Sequence, residues 1–317
     1  MSKVSPANTR EFIRAQIPVP GSDELGQQQL QLFGLLDPLS DPADEQLPEE
    51  DFVLLPVPIA HSNYPESMRP MLIAPRANST LAKARFIDDF LDAAAKEAVG
   101  CAGAGRRFAA LMCSTLPAKQ LALALGRSAV AIDAKAQRRI LRYWDPRVAQ
   151  HLTQPSLRFE SVVQGIVTKW WFVDARGQLM AYVLESPAEQ NAPLHLTLEA
   201  EAALGGISEL NACFELARPN SGAFDAADPW RPLRACLSAA QEAGLRDEAK
   251  LHFAAKRWQL TAPIESSPRI QALLRRVQET EIAYTSAQAE LDDEDWALIA
   301  SEAQRNAATA PHHTGSK

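Results

Sequence analysis

An α+β fold, with a sheet-bearing first lobe and an all-helical second lobe, is the class this sequence predicts. Three observations carry that expectation. Short apolar runs closed by Gly, Pro or Asp recur through the first part of the chain, which is strand punctuation. These runs are mixed with helical stripes without strict alternation, which argues against a doubly wound parallel sheet. After the polar, proline-bounded stretch Ser186–Pro193, only three- and four-residue periodicity remains.

Taken in order, residues 1–29 are polar with no sustained period and read as a flexible N-terminal segment. Leu30–Leu36 (LQLFGLL) is the first strand, closed by Asp37-Pro38, and Leu39–Asp51 is an acidic surface loop. Phe52–Ala60 is apolar but carries Pro56 and Pro58, which cannot donate ladder bonds, so it belongs at a sheet edge or partly outside the sheet. Met71–Ala74 is a short strand. Ser79–Val99 is a helix with Leu81, Ala84, Ile87, Leu91, Ala94 and Ala98 on one face, capped by Asn78 or Ser79 and stopped by Gly100. Phe108–Cys113 reads as strand, Pro117–Leu125 as helix and Arg139–Trp144 as strand. Leu157–Val163 and Ile166–Phe172 follow as strands. The turn Asp174-Ala175-Arg176-Gly177 then leads into a returning strand, Gln178–Leu184.

The first lobe therefore spans 30–194 and the helical lobe 195–306, with 307–317 as a disordered tail. In the second lobe, Leu204, Ile207, Leu210, Phe214 and Ala217 form a stripe weakened by Gly205-Gly206. Asp228-Pro229 opens a helix with Trp230, Leu233 and Leu237 inward, ended by Gly244. Leu251, Ala255 and Trp258 mark a third helix, and Ser267-Pro268 opens a fourth with Ile270, Leu273, Leu274 and Val277. Asp292–Asp295 opens the last, whose buried stripe is Trp296, Ile299 and Ala303.

The stretch Arg138–Gln150 (RRILRYWDPRVAQ) joins the two kinds of structure in the first lobe. An apolar and aromatic run is cut by Asp145-Pro146, an N-cap followed by the one residue that loses nothing in a first helical turn. Val148, Ala149 and Leu152 fall on the buried side of the helix so begun. Arg142 and Arg147 bracket the junction, placed to pair with Asp145 or to receive a partner's carboxylate. A structural strand-to-helix corner is the plainer reading.

Composition narrows the function classes. The chain has 317 residues, of which 46% are hydrophobic and 22% charged, as in ordinary globular proteins. Its net charge of −7 and pI near 5.5 offer no basic excess for nucleic acid. Cys101, Cys113, Cys213 and Cys236 are scattered without a C-x-x-C pair and read as buried hydrophobes in a reducing compartment. No apolar run is long enough to span a bilayer. Met1–Gln16 lacks the apolar core of a signal peptide, so a cytoplasmic location and no membrane partner are expected.

No catalytic constellation stands out. Gly100–Gly105 (GCAGAG) follows a helix and precedes a strand, the reverse of a dinucleotide loop, and lacks a P-loop lysine. The six histidines have no H-x-x-x-H spacing, so no metal or cofactor is expected. Cys113 and Ser114 lie in a strand-to-helix turn without a G-x-S-x-G elbow, and Asp88, Asp89, Asp92 and Glu97 fit a solvated helix face. The adjacent Trp170 and Trp171 point to opposite faces of a strand, so only one can enter a given core layer. They are the candidate partner-binding residues, with burial under the helical lobe as the plainer alternative.

Leu141–Val148 (LRYWDPRV) resembles the R-[FYW]-[YW]-D-P-R signature of the type VI secretion effector adaptors, the Tap/Tec chaperone family. Arg142, Tyr143, Trp144, Asp145, Pro146 and Arg147 carry the match. Phe33–Pro38 is similar to that family's opening L-L-D strand, Gly165-Ile166 with Trp170 to its G-p-i…W segment, and Asp295–Ile299 to its closing W-x-x-I helix. The proline-broken second strand and the long Leu39–Asp51 loop depart from the pattern. The resemblance implies a non-enzymatic adaptor that binds a cognate toxin effector and loads it onto the spike (VgrG-type) protein of the secretion machine. A cytoplasmic hydrolase or transferase whose active site forms only in three dimensions is the alternative.

Overall fold

The computed structural model describes residues 11, 13–14, 30–38, 51–62, 64–76, 79–100, 106–152, 162–184, 194–217, 230–280 and 282–309. The Leu39–Asp51 loop up to residue 50, the glycine stretch from Cys101 to Gly105, the Ser186–Pro193 linker and Asp228-Pro229 lie outside the described residues. The fold is α+β, with antiparallel strands in the N-terminal half and helices in the C-terminal half. The chain forms two compact units, 1–207 and 208–317. The division falls at Ile207/Ser208 and not at Leu194, because the residues after 193 still pack into the first core. Leu194 and Leu196 join it, as does Ala200 of the next helix.

The main sheet of the first unit is built from β1 (Gln31–Leu36), β2 (Phe52–Pro56), β3 (Met71–Pro75), β4 (Phe108–Ser114), β7 (Lys169–Val173) and β8 (Leu179–Val183). Their order is β2-β3-β1-β4-β7-β8, and every neighbouring pair is antiparallel. A small second sheet has β6 (Arg138–Ile140) antiparallel to β5 (Val130–Ile132), with β9 (Leu194–His195) parallel to β5 on the other side. Edge placement of the proline strand is borne out, with a physical reason. The bonds Val57 N–H to Pro70 O and Arg76 N–H to Asp51 O alternate along the ladder, leaving Pro56 at a position that faces away from β3. Its missing N–H costs the sheet nothing there.

Helix α1 (Thr80–Gly100) covers one sheet face. Its N-terminus is capped by Ser79, whose hydroxyl accepts from Ala82 N–H at 3.1 Å. The buried face is turned from the one expected: Leu81 is 63% exposed, while Phe86 and Phe90 sit in the core beside Ile87, Leu91, Ala94 and Ala98. The larger rings set the face, because they bury more apolar area than Leu81 or Ala84. They build an aromatic chain, Phe52–Phe86–Phe90–Phe108, with centroid separations of 5.3, 5.9 and 5.2 Å. Gly34 of β1 makes the room: a Cβ there would stand 2.8 Å from Phe90 and 2.9 Å from Phe86 and Ile73. The N-terminal stretch read as loose is not wholly so. Residues 11 and 13–14 are helical, Ile13 is fully buried in this core and Arg14 pairs with Asp88.

The opposite face packs α2 (Ala118–Ser128), the short α3 (Pro146–Ala149) and the residues between Leu141 and Leu152. Three strand readings need correction. β6 stops at Ile140, and Leu141–Trp144 is not strand. Leu141 N–H still reaches Ala129 O, but Asp145 N–H turns back to Arg142 O, because the side chains there have partners off the ladder. Ile166 and Val167 form a turn closed on Val163 O, so β7 starts at Lys169. Residues 162–163 are helical, not strand, and 153–161 lie outside the described residues. The hairpin itself is as expected, with Gly177 at φ 73° in its turn.

In the second part, α4 (Leu198–Gly205) and α5 (Ile207–Ala217) are two helices. Gly205-Gly206 breaks the stripe instead of merely weakening it, and Gly206 ends α4 as its C-cap. Helices α6 (Trp230–Glu242) and α7 (Asp247–Leu260) follow, with Gly244 between them, then α8 (Pro268–Thr280) and α9 (Tyr284–Gln288), the latter unforeseen. The last helix, α10 (Asp293–Thr309), runs through the first residues of the predicted tail. Trp230, Leu233, Leu237, Trp258, Ile270, Leu273, Trp296, Ile299 and Ala303 are buried as their spacing predicts. Phe214 gathers Trp230 and Trp258 at 5.0 and 5.8 Å. Among the described residues no helix is long and apolar enough to cross a membrane.

Candidate functional site

The corner at Arg142–Arg147 is a buried polar cluster of the first unit, and its anchor is Asp37. Asp37 directly follows β1 and is 1% exposed. One of its oxygens, Oδ2, accepts from the Arg142 guanidinium and from Trp144 Nε1, the latter at 3.1 Å. Its backbone N–H donates to Arg107 O at 2.8 Å. A buried carboxylate needs such partners, since an unpaired charge out of water is costly.

Asp145 stands beside it as the N-cap of α3, accepting from Arg147 N–H at 2.9 Å, with Pro146 in the first helical turn. The Arg147 side chain forks onto the same carboxylate, Nε to Oδ1 at 3.1 Å and Nη2 to Oδ2 at 2.8 Å. Arg142 Nη2 lies 3.6 Å from Oδ2, so one guanidinium bridges both aspartates. Between them, Tyr143 is fully buried and donates to Leu125 O at 3.0 Å. Its ring stands 5.4 Å from Trp144 and 5.9 Å from Trp170. Further along, Gln150 Oε1 accepts from Ala175 N–H at 3.0 Å, tying the corner to the β7–β8 hairpin.

Burial acts to raise the Asp145 carboxyl, but the hydrogen bonds and charge of Arg147, with the charge of Arg142, outweigh it and hold the group below the usual carboxylate range. Tyr64 is pushed up to about 12, by burial first and by Asp37 next to it, against the opposing charge of Arg142. A carboxylate held ionised by two guanidinia is a poor proton acceptor. The cluster is built to be charged and fixed, with its rim formed by the partly exposed guanidinia of Arg142 and Arg147, 28% and 25% exposed.

All six motif residues therefore lie in one site. Trp170 and Trp171 do not join it as surface anchors: both are fully buried, Trp170 in the core with Tyr143 and Trp144, Trp171 in the core under α1. Opposite faces were expected; a surface role is corrected, because each sheet face is covered. Asp37 was legible only as a strand stop, and the one signal that could have raised it is its place in the second motif. The other candidate chemistry is bound up in structure. Burial pushes the Cys113 thiol up to about 12, and the Ser114 hydroxyl donates to Ile166 O. Glu97 accepts from Phe108 N–H. Among the described residues no three His, Cys, Asp or Glu side chains are grouped as ligands for a metal ion.

A pH dependence follows from Asp145. Its folded value lies below the unfolded carboxyl value of about 3.9, so on acidification the unfolded chain takes up the proton first. The stability it contributes is present above about pH 4 and is lost as pH falls through the folded value. Asp145→Asn keeps a good cap but not the charge. Its melting temperature is expected to fall less steeply than the wild type's below about pH 4. Parallel curves would rule out the ion pairs as the source.

No family model matches the chain, and no curated protein or solved structure is significantly similar to it.

Proposed function

We propose that this protein is a cytoplasmic adaptor-chaperone that binds a type VI secretion toxin effector and presents it to the spike protein of the secretion machine. The reading rests on the resemblance of four short motifs. The observation that carries it is that two of them, L-L-D-P and R-Y-W-D-P-R, meet at Asp37, which Arg142 and Trp144 both grip. That two motifs far apart in sequence close on one buried carboxylate supports reading them as one unit. The work itself is protein–protein recognition, which needs a rigid frame and an adaptable surface but no reacting group.

The test is capture. The full-length tagged chain is co-expressed with the toxin and the spike protein encoded in adjoining reading frames. A stable complex with the toxin is expected, and toxin is expected to reach the spike only when this chain is present. Equal loading with and without the chain would sink the reading.

A further inference from the structure

The main sheet has two outer edges, and the chain treats them differently. On β2, residues 53 and 55 bond to β3, so Phe52, Leu54 and Pro56 face outward. Pro56 deletes one outward N–H, and Pro58 stands two residues further on, so this edge is a poor template for another strand. On β8 the ladder bonds Leu184 N–H to Thr168 O and Asp174 N–H to Gln178 O bracket the pairing with β7. Antiparallel alternation then turns Met180 and Tyr182 toward β7 and the backbone N–H and C=O of Leu179, Ala181 and Val183 outward. Among the described residues no strand pairs with that edge. The segment has no proline, no charge and no bulge, which are the usual devices that protect an edge. Leu179 and Ala181 are half-buried, and Val183 is 61% exposed.

We propose that the outer edge of β8 accepts an extended segment of the toxin cargo as a seventh strand; this rests on the adaptor reading above. The occupant's chemistry follows from the edge. Three outward N–H groups and three outward carbonyls are matched by an extended backbone and by few other ligands. Met180 and Tyr182 continue the core on one face of β8, and Leu179 and Ala181 border the core on the other. The added strand is therefore uncharged and apolar on both faces. A second copy of this chain is the poorer occupant, because pairing five residues with five buries far less than the roughly 1,200 Å² of a stable dimer.

The experiment compares full-length wild type, Ala181→Pro and Ala181→Val, using the toxin encoded in the adjoining reading frame as probe. Proline at 181 removes an outward N–H and no bond to β7, whereas valine keeps that N–H. With melting unchanged, Ala181→Pro is expected to bind at least about tenfold more weakly while Ala181→Val binds as wild type. Toxin binding is also expected to slow amide hydrogen exchange at Leu179, Ala181 and Val183. Wild-type affinity in Ala181→Pro overturns the edge proposal and leaves the adaptor reading standing. Failure of the wild type to bind toxin overturns both. Should Ala181→Pro melt early, exchange in the wild-type complex decides: protection at the three amides supports the proposal, and unchanged exchange refutes it. Protection of those amides in a dimer of the free protein assigns the edge to a second copy and refutes it as well.

Discussion

Asp37→Ala is expected to lower the unfolding free energy of the first unit by about 3 kcal/mol, because breaking a buried ion pair leaves the other partner uncompensated. The loss has two parts. Trp144 Nε1 and one guanidinium edge of Arg142 lose their shared acceptor inside the protein. The figure sits at the low end of the range for such pairs, because Arg142 keeps Asp145 within 3.6 Å and part of it reaches solvent. Asp37→Asn should fall between the two, since an amide oxygen still accepts from Trp144 without holding the charge. Urea denaturation of Asp37→Ala, Arg142→Ala and the double variant gives the coupling directly. A single-variant loss under about 1 kcal/mol would show that water replaces Asp37 and that the cluster is not a structural anchor.

Trp170→Ala and Trp171→Ala are each expected to cost about 3–5 kcal/mol, the range for removing a large buried ring. Both side chains are fully buried, so any loss of partner binding should follow the loss of fold. Trp171→Phe is expected to be far milder, because the indole N–H it removes has no acceptor among the described residues. Thermal melts and binding measured on the same preparations check this. Abolished binding with unchanged melting in any of these variants would restore the surface role that burial denies them.

What was legible in the sequence was what local chemistry decides. Asp145-Pro146 announced an N-cap and first turn, and both are present. Pro56 announced an edge. The Trp296, Ile299 and Ala303 spacing announced a buried helix face. The misreadings occur where distant residues compete with local preference. Leu141–Trp144 has strand composition, yet Arg142 and Trp144 turn to Asp37 and Tyr143 turns to Leu125 O. The periodic stripe of α1 gave the right helix and a rotated face, because period alone weighs Leu81 and Phe90 alike. For the site, the six motif residues were nameable in advance, but Asp37 was not named among them. Only the three-dimensional closure of β1 onto the corner shows that this carboxylate belongs to them.

The position of β1 bears on how the chain is made. Among the described strands it is the earliest in the chain, and it lies in the interior of the sheet, between β3 and β4. Neither flank can be paired until Met71–Pro75 and then Phe108–Ser114 have emerged. At ordinary translation speeds the second of these arrives on the order of ten seconds after β1. LQLFGLL is an uncharged, apolar stretch with both edges open until β3 emerges and one edge open until β4 does, the kind of segment that sticks to its neighbours on a crowded polysome. Yield in cells should therefore be governed by the speed and temperature of synthesis as much as by the stability of the finished fold.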